Sequence, residues 1–346
     1  MPGNSLMICG FALAVLAGIL AGTCAAPIKL MRHYRFEHWA FIAAWVGQLL
    51  LPWLVMLALC PEAWAALGTV DPVTIVKANL FSLAWGIANI LCGLCLVRIG
   101  FSLSVGLLTG IGLPIGVLLP MIFRGTGQFA DAPGLGTPSG RLILCGVGIM
   151  IIAVVWVTKA GFGREAALGE GSVPKGGFRS GLLMISVAGI LQVGLSFAFV
   201  YSQGPICAAL MARGASSFSA GLGVWALTLP GGALINLAYP AWLLTRRRSW
   251  GVFKSAPQEM LLSAMMGCMF FLFIMSMGTG MLWLGGLGAS VGFGVYQAAQ
   301  ISASQAVGFL RGEWHGVPGP SHRQMKRAVA LLLLAVVVIA TGRAAG

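Results

Sequence analysis

The chain predicts an all-α polytopic membrane protein, with ten transmembrane helices arranged as a 5+5 inverted repeat. Three observations lead there. First, 58% of the 346 residues are hydrophobic and only 8% are charged, with a mean hydropathy of +0.94. A soluble domain carries about 25% charged residues. No single water-soluble core hides that much apolar surface, so the bilayer must act as solvent. Second, the basic residues sit in short clusters between apolar runs. Third, short stretches of the first half recur in the second.

Apolar segments long enough to span, about 17–25 residues, fall near 6–26, 39–60, 76–97, 101–123, 142–158, 181–201, 220–244, 260–281, 285–310 and 328–342. The first, "LMICGFALAVLAGILAGTCAAP", resembles a signal peptide. It has no Lys or Arg before residue 29, however, and a signal peptide opens on positive charge. It therefore reads as the first transmembrane helix. Positive-inside counting sets the orientation. With the N-terminus outside, sixteen basic residues lie in the five inner loops and five lie outside. Both termini are then expected on the outer side of a bacterial inner membrane. All loops are short. The longest, 159–180, lies after the fifth segment and is rich in glycine and charge.

Five helices per half is an odd number, so a duplicated half would be inverted, as in many transporters. "LAGIL" in the first helix faces "VAGIL" in the sixth, and "SLSVG" opening the fourth faces "GASVG" opening the ninth. The fourth ends in "FRG" and the ninth in "LRG". The expected units are a first repeat at 1–160, a linker at 161–180 and a second repeat at 181–346.

The ninth segment raises a chemical question. "GVYQAAQISASQAVGFLRGEW" (294–314) holds three glutamines, two serines and a tyrosine, with no charge before Arg311. Such groups are costly in hydrocarbon. At 100° per residue, Gln297, Gln300 and Ser304 fall within about 60° of arc, with Tyr296 beside them. One or two such residues glue helices together; a broad face of them predicts a wet cavity. In the third helix, Trp85 and Asn89 are four apart and share a face. An amide that both donates and accepts, beside a flat apolar ring, suits a sugar with its hydroxyl rim and C–H face. Gln192, and Asn236 with Tyr239, are further candidates for the lining, as is Gln48. In the fourth helix, Gly106/Gly110 and Gly112/Gly116 allow close helix approach, and Pro114 removes a backbone hydrogen bond. These residues predict tight packing or a bending gate.

Other classes fit less well. The formal charge of +13 suggests nucleic acid, but no basic–aromatic motif accompanies it. The eight cysteines lie in or beside apolar runs and read as packing residues, Cys92 and Cys95 included. No Asp, Glu or His falls near mid-span, which argues against a cationic-drug exporter. A membrane enzyme would need an acid–base cluster or metal spacing at a membrane face; His33/Glu37 and Glu313/His315 come nearest without matching one. No cofactor or metal is expected.

The stretch "LAWGIANILCGLCLVRIGFSLSVGLLTGIGLPIGVLLP" (83–120), with "LLLPW" (49–53), "PGGALINLAY" (230–239) and "GFLRGEW" (308–314) in support, carries a family likeness. On these residues the chain resembles the L-rhamnose–proton symporter family of the drug/metabolite transporter superfamily. The resemblance implies inner-membrane uptake of a deoxy-sugar driven by the proton gradient, on a 5+5 inverted fold. Trp85, Gly86 and Asn89 match the family's third-helix motif, and Glu313 with Trp314 match the end of its ninth helix. Among acids at helix ends, Glu313 follows the polar stripe and is the candidate for proton coupling. The partners implied are a sugar, a proton and the lipid bilayer. A facilitator or exporter of another small polar metabolite is the alternative.

The orientation is testable. A reporter active only outside the inner membrane should be active when fused after Gly346 and silent when fused at Arg247. Activity at Arg247 alone overturns the assignment.

Overall fold

The computed structural model describes residues 4–99, 101–124, 133–168, 178–310, 314–317 and 319–341. All regular structure among them is helical: α1 (Asn4–Thr23), α2 (Phe36–Ala44), α3 (Leu51–Leu59), α4 (Ala63–Leu67), α5 (Pro72–Ile99), α6 (Phe101–Ile122), α7 (Pro138–Leu168), α8 (Phe178–Leu191), α9 (Gly194–Met211), α10 (Ser217–Thr228), α11 (Pro230–Arg246), α12 (Val252–Ser255), α13 (Pro257–Leu284), α14 (Phe293–Leu310) and α15 (Gly319–Thr341). Wide π-helical turns join α2 to α3 at Trp45–Leu50 and precede α14 at Gly288–Gly292.

The chain is a multi-pass membrane protein. Among the described residues, six spans are long and apolar enough to cross a bilayer, and α10 with α11, bent by 45°, makes a seventh. Ten were expected. α14, α15 and the shorter apolar stretch Leu107–Ile122 of α6 fall outside that set. For α14 the reason is its own composition, since three glutamines and two serines lower its hydropathy.

The helical segments close into a ring. α5 packs on α8 and α9, α8 on α6, α6 on α7, α7 on α15, α15 on α14, α14 on α1, and α1 on α13. α13 packs on α2 and its π-turn, α2 and α3 on α11 and α10, and α11 returns to α5. Contacts across the centre join α10 to α13, and join α6 and α9 to the turn before α14. They concentrate at one end, where every residue from Ser219 to Thr228 of α10 is buried. There Phe199 stacks on Trp225 at 4.6 Å, and the indole rests on Gly278.

Helix breaks are stabilised by neighbours. Pro230 has no N–H, and the backbone from Leu227 to Gly232 turns at the bend between α10 and α11. Asn79 of α5 covers that turn: its Nδ2 donates to the carbonyls of Leu227 (2.7 Å) and Ile75 (2.9 Å), and its Oδ1 accepts from the Gly231 N–H (2.7 Å). Ser82, one turn on, accepts from the Gly232 N–H at 3.1 Å. Glycine is required here, because a Cβ on Gly231 or Gly232 would run into the α5 backbone at Asn79 or Ser82.

The end carrying the α1–α2 and α11–α13 loops is tied by charge. Glu37 is fully buried and accepts from Arg247 Nη1 at 2.9 and 3.0 Å. The Glu259 carboxylate accepts from the backbone N–H groups of Arg32 (2.8 Å), His33 (3.1 Å) and Tyr34 (2.7 Å), and lies 3.0 Å from His33 Nδ1. Burial, then the Glu259 charge, push the Tyr34 phenol above its ordinary pKa. His38 is also buried. Its Nδ1 accepts from the Arg35 N–H, so Nε2 carries the proton and donates to the Ser249 carbonyl at 3.2 Å. At the other end Arg213 pairs with Glu62 at 2.8 Å on the surface.

Replacing Asn79 by Leu should destabilise the fold by about 2 kcal/mol, since buried backbone groups lose their partner. A melting curve in detergent should shift downward; an unchanged midpoint would show that the bend does not need the amide.

Candidate functional site

An aromatic belt links α5, α13 and α14 across the ring. Trp85 of α5 stacks on Phe270 of α13 at 5.6 Å. Phe270 meets Phe273 edge-on at 5.5 Å, and Phe273 stacks on Tyr296 of α14 at 5.3 Å. Tyr296 then meets Phe293 at 5.9 Å, and Phe293 fills the notch that Gly116 leaves in α6. Offset and edge-to-face pairs like these hold rings in fixed orientations. Trp85 and Tyr296 were legible in the sequence. Phe270, Phe273 and Phe293 were not, because phenylalanine in an apolar run reads equally as lipid-facing.

The polar arc of α14 lies on the side of that helix that carries Phe293. Gln297, Gln300 and Ser304 share their side of the helix with Phe293, and Phe293 reaches α6 across the ring. Gln297 is buried, whereas Gln300 and Ser304 keep partial access. Two glycines of α1 set this rotation. A Cβ on Gly18 would meet Ala299 and the Tyr296 carbonyl, and one on Gly22 would meet the Gln300 carbonyl. Ser302 points elsewhere and bonds its own helix at the Ala298 carbonyl, 2.8 Å away.

Asn89 is exposed, yet it does not lie on the outer side of α5. It follows Gly86, which touches Gly232 of α11, by three residues, and Trp85, which touches Phe270, by four. The outer groove between α5 and α11, about 370 Å³, is lined by Ile87, Ile90, Leu91, Ile235, Ala238 and Tyr239 on another face.

The remaining polar candidates tie helices together. Gln192 donates to the Leu108 carbonyl of α6 at 2.6 Å, seated against Gly112. Asn236 donates to Gln48 Oε1 at 3.1 Å, joining α11 to the π-turn. In α6, Gly110 faces Val154 of α7, and the helix runs on through Pro114. Gly106 belongs to the same helix. Glu313 lies outside the described residues. Its neighbour Trp314 is buried and stacks on Phe309 at 5.1 Å, with His322 at 5.8 Å. Among the described residues no group of His, Cys, Asp or Glu is placed to hold a metal ion.

The uncharged Gln297, Gln300 and Ser304 thus share a side of α14 with Phe293, the end member of the aromatic belt. The family model for the L-rhamnose-proton symport protein matches residues 3–345. The chain belongs to the L-rhamnose–proton symporter family. It is similar to the L-rhamnose-proton symporter of Yersinia pestis bv. Antiqua (strain Antiqua), at 33% identity over 236 residues, which covers 68% of this chain and 67% of the relative. The L-rhamnose-proton symporter of Yersinia pseudotuberculosis serotype O:1b (strain IP 31758) matches at the same identity and coverage. Membership places the chain among transporters and not among enzymes.

Proposed function

We propose that this protein takes up L-rhamnose or a related neutral deoxy-sugar across a bacterial inner membrane, by proton symport with alternating access. What supports the reading is the aromatic series from Trp85 to Phe293 that links α5, α13, α14 and α6, with Asn89 one turn beyond Trp85 and with Gln297, Gln300 and Ser304 on the Phe293 side of α14. Amides donate to and accept from hydroxyls, and aromatic faces receive C–H groups. Trp85, Asn89, Tyr296, Gln297, Gln300 and Ser304 are the sugar-binding residues in this proposal. Gln192 and Asn236 brace the wall behind them and border the lining.

The proposal includes ten crossings in two inverted five-helix repeats, 1–160 and 181–346, with 161–180 as linker. The packing order supports it. Exchange α5 with α13, α8–α9 with α1, α6 with α14, α7 with α15, and α2–α3 with α10–α11. Each neighbouring pair in the ring then maps onto another neighbouring pair. A two-fold axis in the membrane plane produces that property. With both termini outside, the packed end around Phe199 and Trp225 faces outward and the Asn89 end faces the cytoplasm. The arrangement then corresponds to an inward-facing state, with Gly106, Gly110, Gly112, Pro114 and Gly116 of α6 in the moving wall.

Symport needs a group whose protonation differs between outward and inward states. Gln, Asn and Ser do not titrate near neutral pH. Glu313, three residues after the end of α14 in the sequence, is the proposed coupling residue.

Labelled L-rhamnose uptake into vesicles with an imposed pH gradient tests substrate and coupling together. Asn89→Ala and Gln300→Ala should each weaken uptake at least tenfold without loss of folded protein, since a sugar hydroxyl enclosed on binding without its amide partner costs about 1–3 kcal/mol. Wild-type uptake by both would return these residues to a packing role. Glu313→Gln should abolish uphill accumulation while sugar exchange persists. A mutant that still concentrates sugar removes Glu313 from coupling, and a wild type indifferent to the gradient makes the protein a facilitator.

A further inference from the structure

The faces of α13 can be told apart by what they touch. Gly267 rests on α2, where an added Cβ would meet the Ala43 carbonyl and Val46 at 2.8 Å, and Gly280 rests on Gly10 and Leu13 of α1. Leu261, Met265, Cys268 and Leu272 are exposed and form the outer face. The residues left for the interior are Ser263, Met266, Phe270, Phe273 and Met277, spaced by three and four as one helix face requires. All of these are buried except Phe270. Its accessible surface therefore opens to the centre of the ring and not to lipid.

α5 repeats the arrangement. Ser82, Gly86 and Asn89 have the same spacing as Ser263, Gly267 and Phe270. Gly86 touches Gly232 beside the bend between α10 and α11; Gly267 touches Gly47 in the π-turn between α2 and α3. Ser82, Trp85 and Gly86 are buried, and Asn89 is exposed. Matched positions on two helices thus present an amide and a phenyl ring to one space. The phenyl ring is braced: Trp85 covers it at 26° between planes, and Phe273 meets it at 75°. A ring already held in place loses little entropy when a ligand arrives.

We propose that Phe270 is a specificity-determining residue of the sugar site, receiving the C–H face of the substrate while Asn89 bonds its hydroxyls. This rests on the sugar-transport reading above. It adds the α13 partner, and it predicts that aromaticity, not bulk, is what the position supplies.

The test uses the full chain, purified and reconstituted, with L-rhamnose as probe. Binding is measured by titration calorimetry and uptake by KM and kcat, for wild type and for Phe270→Tyr, Phe270→Leu and Phe270→Ala. Phe270→Tyr should bind within about threefold of wild type. Phe270→Leu, which restores apolar volume without a π-face, should raise Kd and KM at least tenfold with kcat little changed, as should Phe270→Ala. If Phe270→Ala does not fold, the Tyr and Leu pair decides alone. Leu binding as well as Tyr would reduce Phe270 to packing and overturn the proposal. A wild type that binds no L-rhamnose overturns the sugar reading and this inference together. A wild type that binds, with all variants equal to it, overturns only the role of Phe270.

Discussion

A backbone N–H or carbonyl inside a bilayer has no water to turn to, and leaving one unpaired costs several kcal/mol. The fold is organised around that constraint. Where the α10–α11 span breaks at Pro230, Asn79 and Ser82 of α5 supply the missing partners. Where the α2–α3 span loosens into a π-turn, Gly47 meets Gly267 backbone to backbone. Both irregular points are thus pressed against a long helix, α5 or α13, and those two helices carry Trp85 and Phe270, which stack on each other. The breaks are among the points where neighbouring helices approach most closely, and such contacts fix helix rotation.

Charge is sorted by the same physics. The buried carboxylates of Glu37 and Glu259 sit at helix ends, each with charged or backbone donors around it. Glu259 also lies in the first turn of α13, where the positive end of the helix dipole favours an anion. The residues proposed to bind the sugar are amides, a hydroxyl and rings. A charged group there would have to be paired before a neutral ligand entered, whereas amides and hydroxyls exchange water for ligand hydroxyls at small net cost. That contrast between ends and centre fits a protein that moves a neutral solute between two aqueous faces.

Much of this was readable from composition and spacing, because bilayer burial and helical periodicity act along the chain itself. The apolar runs marked the helices, the clustered Lys and Arg marked the loops, and the 3.6-residue period put Gln297, Gln300 and Ser304 on one side of α14 and Trp85 with Asn89 on one side of α5. Which neighbour each side faces depends on contacts between residues far apart in sequence. Gln192 and Asn236 looked like lining residues and proved to bond Leu108 and Gln48, since an amide in an apolar run has the same local signal whether it meets ligand or helix. Phe270 looked like any lipid-facing phenylalanine until the ring closed with its side turned inward. The sequence by itself determined that the chain lives in a membrane, where its helices run and which of them carry polar faces, for those follow from transfer energies and local period. Only the tertiary structure decided which of those faces meet, because helix rotation is set by close contacts such as Gly18 on Ala299 and Gly86 on Gly232, and these form only once the ring has closed.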